Sequence, residues 1–102
     1  MAVQPIFVGQ RIPVEGAFRL RGVPRDPMVV RCLIKPPSGG LVSLVYPNES
    51  LRRLDTGLYE AAVAVTEPGT WYFRWEGAGT VDAVTEIPVE VRPSVVSQSV
   101  IQ

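Results

Sequence analysis

Few side chains in this chain have the chemistry of an active site. Its 102 residues include no histidine and a single cysteine, Cys32. Histidine is the commonest general base and the commonest transition-metal ligand. With one thiol besides, a zinc or iron site would rest on carboxylates alone, a poor donor set for those metals. Asp55, Glu60, Glu67, Glu76 and Asp82 are scattered, and no Asp-x-Asp run gathers several oxygens into one loop, as calcium requires. No phosphate-cradling glycine loop occurs. These residues predict a protein that is not an enzyme and carries no cofactor or metal.

The remaining chemistry is that of surfaces. Trp71, Phe73 and Trp75 alternate with Tyr72, Arg74 and Glu76. Alternate aromatics can stack sugars or bases, but they are also what the inward face of a central strand looks like. The second reading is the better one here, and it leaves Tyr72 and Arg74 as the surface candidates. Arg19, Arg21, Arg25 and Arg31 lack interleaved aromatics in a chain of zero net charge, so no nucleic-acid partner is expected. Cys32 falls on the inward face of a strand, where an inert thiol is the default.

Charge is unevenly spread. Residues 1–53 hold eight basic and three acidic side chains, and residues 54–102 hold two and seven. Either folding mixes the two halves in space, or the module is dipolar and docks on copies of itself or on a charged neighbour. Nine of the ten basic residues are arginine, which suits fixed bidentate contacts. No apolar run reaches the length of a membrane span, and no basic segment precedes an apolar run at the N-terminus. No membrane partner is expected, and synthesis in a reducing cytoplasm fits the lone thiol.

These side chains need elements to hold them, and the pattern predicts strands. Period-two alternation places strands at about 11–21, 28–35, 41–46, 57–65, 70–76 and 82–92, with 51–54 as a short edge strand. Proline and glycine punctuate the gaps. Phe18, Trp71, Phe73 and Trp75 are the expected core aromatics, and Met28, Val30, Cys32 and Ile34 the expected inward face of the second strand. Arg52 and Arg53 would discourage further pairing at the edge. Asp55-Thr56-Gly57-Leu58-Tyr59 has the Asp-x-Gly-x-Tyr spacing of the immunoglobulin-fold corner, where a tyrosine hydroxyl bonds backbone near the turn. The cysteine that follows in that motif is Ala61 here. The expectation is an all-β, immunoglobulin-like antiparallel sandwich of about seven strands over residues 11–93, with an N-terminal arm (1–10) and a C-terminal arm (94–102). The second arm is uncharged and carries Val95, Val96, Val100 and Ile101. It is either a frayed terminus or a strand for a neighbour's open edge.

The succession MVVRCLIKPPSGG, LRRLDTGLYEAAVAVTEPGTWYFRWEGAG and TEIPVEVRP resembles small immunoglobulin-like proteins encoded among the head and tail genes of tailed bacteriophages and prophages. The resemblance covers about residues 11–93. It implies a virion structural protein, made in the bacterial host cytoplasm, that decorates the capsid or sits at the head–tail junction. Its partners would be other virion proteins and copies of itself, with Arg52, Arg53, Arg74 and the C-terminal apolar residues as contact candidates. Bacterial surface immunoglobulin-like repeats share much of the outline, so an adhesion or carbohydrate-binding module is the alternative.

Overall fold

Residue-by-residue alternation sets which face of β2 (Arg11–Ala17) and β5 (Val29–Lys35) is buried. The structure, a computed structural model, describes residues 5–93. In chain order the strands are β1 (Ile6–Phe7), β2 (Arg11–Ala17), β3 (Arg19–Leu20), β4 (Val23–Pro24), β5 (Val29–Lys35), β6 (Val42–Val45), β7 (Leu51–Asp55), β8 (Leu58–Ala64), β9 (Gly69–Ala78) and β10 (Ala83–Arg92). No helix occurs among the described residues. Two main sheets pack as a sandwich: β1-β10-β9-β5-β6, and β2-β8-β7. β3 and β4 form a separate small hairpin. Every pairing is antiparallel except that of β1 with β10.

The core lies between the two sheets. The five-stranded sheet contributes Val30, Cys32, Ile34, Trp71, Phe73, Trp75 and Val91; the three-stranded sheet contributes Ile12, Val14, Leu51, Tyr59 and Ala61. Phe18, between β2 and β3, bridges them: its ring stands edge-on to Tyr59 at 5.9 Å and to Trp75 at 6.4 Å. Such T-shaped pairs add to the stabilisation from burial. The central indole needs room, and Gly16 provides it. A Cβ at Gly16 would lie 2.3 Å from Trp75 Cδ2.

Several expectations are corrected. The strand read as 11–21 breaks at Phe18, after which the chain turns away through the β3–β4 hairpin, leaving Leu20 exposed. Arg21 and Gly22 have φ of 54° and 80° there. Positive φ at both central residues of a two-residue loop is the pattern that suits strand twist in hairpins. Met28, expected inward, is 78% exposed because β5 begins only at Val29. Residues 5–10, read as part of an arm, lie against the sandwich: Ile6 and Phe7 pair with Val91 and Arg92, and Gly9 N–H donates to Val65 O. The C-terminal arm, with Val95, Val96, Val100 and Ile101, lies outside the described residues.

Candidate functional site

Burying Trp71, Phe73 and Trp75 forces the other side of β9 outward. Tyr72, Arg74 and Glu76 therefore stand on the outer face of the five-stranded sheet. Register sets their neighbours: Tyr72 opposes Lys35 and Pro88, Arg74 opposes Leu33 and Glu86, and Glu76 opposes Arg31 and Val84. An ion-pair ladder crosses three strands. Arg31 Nε lies 3.1 Å from Glu76 Oε1, Arg74 Nε lies 2.7 Å from Glu76 Oε2, and Arg74 Nη1 lies 3.0 Å from Glu86 Oε2. Glu76 and Glu86 push the Arg74 guanidinium further up from its ordinary pKa. Exposed pairs of this kind contribute little to stability, but two carboxylates hold one guanidinium in a set orientation.

Beside the ladder runs a shallow groove of about 430 Å³, lined by Leu33, Lys35, Leu41, Tyr72, Arg74 and Glu86. Leu41 is 64% exposed and Tyr72 48%. Apolar side chains flanked by charges are a combination that could take part in a contact: the apolar part would reward desolvation and the charges would set orientation.

The turn Asp55–Tyr59 has a different role from the one its spacing suggests. It links β7 and β8, neighbours in one sheet, rather than crossing between sheets. The Tyr59 hydroxyl donates to Asp26 Oδ1 at 3.0 Å, not to backbone. The same oxygen accepts the Gly57 N–H at 2.7 Å, and Arg53 Nε and Nη2 reach the carboxylate at 3.2 and 3.1 Å. Asp26 thus ties the Pro24–Pro27 loop to β7, the turn and β8. Arg53, then the Gly57 amide and Tyr59, hold the Asp26 carboxyl below its ordinary value. Burial, aided by Asp26, pushes the Tyr59 phenol up to about 12. Gly57 is needed because its φ is 71° and a Cβ would lie 2.4 Å from Phe18 O. Asp55 Oδ1 accepts the Thr56 N–H and so shapes the same turn.

The other sequence candidates fall as follows. Phe18, Trp71, Phe73 and Trp75 are all buried, and Trp71 Nε1 donates to Glu67 O. Trp75 Nε1 has no acceptor among the described residues. Cys32 is fully buried, and burial pushes its thiol up to about 12. Arg52 pairs with Glu60 and Arg53 with Asp26, and both side chains stay exposed, Arg52 the more so at 72%. Arg31–Glu76 and Arg52–Glu60 join the basic first half to the acidic second half. Arg19, Arg21 and Arg25 gather at the exposed β3–β4 hairpin, away from Arg31 on the outer face.

Two residues that matter were not singled out by the sequence. Asp26 had a signal, an acid held between Pro24 and Pro27. Gly16 had one too, a glycine at an inward position of an otherwise apolar face. Comparison with protein families, curated proteins and solved structures finds no match to this chain.

Proposed function

We propose that the chain is an immunoglobulin-like binding module that works as a non-enzymatic structural protein of a tailed-bacteriophage virion, at the capsid surface or the head–tail junction. Strand order supports the immunoglobulin-like part. Reading β2, β8 and β7 as strands B, E and D places β6, β5, β9 and β10 as C′, C, F and G of the opposite sheet. The observation that carries the functional part is the outer face of the five-stranded sheet, where Leu33, Leu41 and Tyr72 lie beside a charge ladder with its arginines already oriented. Such a face suits a protein partner, and preset side chains lower the ordering cost of docking.

Particle purification with protein identification and copy counting tests this reading. On the order of hundreds of copies means decoration of the capsid lattice, and about six or twelve means the junction, as the symmetry of each location demands. Absence from particles overturns it. The exposed Tyr72 ring on the groove favours one second reading, a carbohydrate-binding module of a bacterial surface. Glycan binding lost in Tyr72→Ala, together with absence from particles, would establish that reading instead.

A further inference from the structure

The charges on the outer face of the five-stranded sheet stand in columns. β5 presents Arg31 and Lys35, β10 presents Glu86 and Glu90, and β9 runs between them. Arg92 stands past the last registered pair of β9 and β10, Gly69 with Val91. A basic column and an acidic column thus flank β9, each about 4.8 Å away. Arg31, Arg74, Glu76 and Glu86 satisfy one another in the ladder. Lys35 and Glu90 are left over: neither has an ion-pair partner among the described residues. Glu90 accepts from the Thr70 hydroxyl. Exposed apolar side chains lie among these charges, Val29 and Val45 at one end, Val84 beside Glu76, and Tyr72 beside Lys35. Covering them would reward association.

This layout is its own complement. A two-fold axis along β9 exchanges left and right and keeps height along the strands. The basic column of one copy then faces the acidic column of the other, twice over. An axis across the strands would instead set β5 on β5 and β10 on β10, like charge on like. Register fixes the heights. Lys35 is level with Tyr72, Glu86 with Arg74 and Glu90 with Thr70, so Lys35 falls midway between the two carboxylates of the facing column. Packed sheets interdigitate their side chains in this staggered way. Tyr72 lies on the axis and meets the same ring of the second copy, a favourable aromatic contact. Arg74 and Glu76 also lie near the axis, where Glu86 and Arg31 already offset their charges.

We infer that the chain forms a two-fold dimer through this face, with Lys35 of each copy set between Glu86 and Glu90 of the other. This rests on the reading of the face as a protein-contact surface and names the partner as a second copy of the chain. β5 is seven residues long. At about 3.3 Å per residue and about 4.8 Å per strand, its four-strand face measures about 23 by 19 Å. That is small for a specific interface, so the dimer is a weak one.

Sedimentation of the full chain from about 10 μM to about 1 mM tests it, the range of weak dimers. Wild type should pass from monomer to dimer and stop there, because a two-fold contact closes on itself. Lys35→Glu and Glu90→Lys each bring like charges together at both ends of the contact, and each should weaken the dimer at least about tenfold. The two combined restore opposite charges, so the double variant should dimerise more tightly than either single one. Glu15→Lys, on the outer face of the other sheet, changes net charge as Glu90→Lys does and should dimerise like wild type. Circular dichroism checks that every variant is folded. Wild type monomeric to about 1 mM, growth beyond the dimer, single variants that dimerise like wild type, or a double variant no tighter than the singles overturns the inference. The particle count is read separately, so dimerisation can fail while the virion reading stands, and the reverse.

Discussion

Replacing Gly16 with alanine should destabilise the domain, although alanine is ordinarily the better strand residue. Removing a glycine from a strand interior would alone contribute about 0.5–1 kcal/mol, through the smaller entropy of the unfolded chain. Here the new methyl carbon lies 2.3 Å from Trp75 Cδ2 and 2.7 Å from Cγ and Cε2. Carbon–carbon contact is comfortable at about 3.5–4.0 Å, so the two groups must separate by more than about 1 Å. The indole cannot swing away: it is 1% exposed, rigid, and hemmed in by Phe18. Overpacking of a core costs about 1–3 kcal/mol, and this overlap belongs at the upper end. The net loss should be about 2 kcal/mol, read as a lower urea midpoint by tryptophan fluorescence. In a domain of this size it corresponds to a melting temperature lower by roughly 8–16 °C. Glu15→Ala, on the solvent side of the same strand, is the control and should stay within about 0.5 kcal/mol of wild type. A Gly16→Ala protein as stable as wild type would refute the sheet-to-sheet contact on which the core description rests.

Asp26→Asn should cost about 1 kcal/mol at neutral pH, discounted because the carboxylate is 38% exposed. The folded Asp26 pKa lies below its ordinary 3.8, so its stabilisation is present above that value and is lost as pH falls through the folded pKa. The variant and wild type should therefore converge in urea melts below about pH 4; a gap constant from neutral to strongly acid pH would show that the charge is not the cause. Tyr59→Phe removes one of the three donors to that carboxylate and should cost about 1 kcal/mol in the same melts, whereas a silent substitution would place the hydroxyl in water. Arg21→Asn should stabilise by about 0.5–1 kcal/mol, since asparagine tolerates the left-handed region better than arginine does; calorimetry showing a lower melting temperature would contradict the turn geometry. Gly57→Ala should be among the most damaging single changes, because the added carbon meets Phe18 O and the Arg25 amide, which are backbone and cannot rotate away; a soluble, cooperatively melting variant would argue against that packing.

The strand pattern was legible because it is local. Burial alternates residue by residue in β2 and β5, and Trp71, Phe73 and Trp75 announce an inward face from three positions of one strand. A turn ahead of Tyr59 was likewise legible in Asp55 and Gly57, and the paired arginines marked β7 as an edge, whereas the hairpin at Arg21-Gly22 was hidden because alternation carried the strand through to Arg21. The tertiary structure decided what no window of sequence contains. Phe18 ends a strand that alternation alone would carry on to Leu20, because its ring fits between Tyr59 and Trp75. Tyr59 looked like a partner for nearby backbone, and its hydroxyl goes instead to Asp26, 33 residues away. Gly16 read as a gap in an apolar face until the opposite sheet filled it with an indole. The groove of Leu33, Leu41 and Tyr72, and the ladder from Arg31 to Glu86, exist only because β5, β9 and β10 pair in one register. Propensity and alternation act between residues adjacent in the chain, so sequence determines them. Close packing and side-chain hydrogen bonds act between residues brought together by folding, where fit to a few tenths of an ångström decides which contact forms.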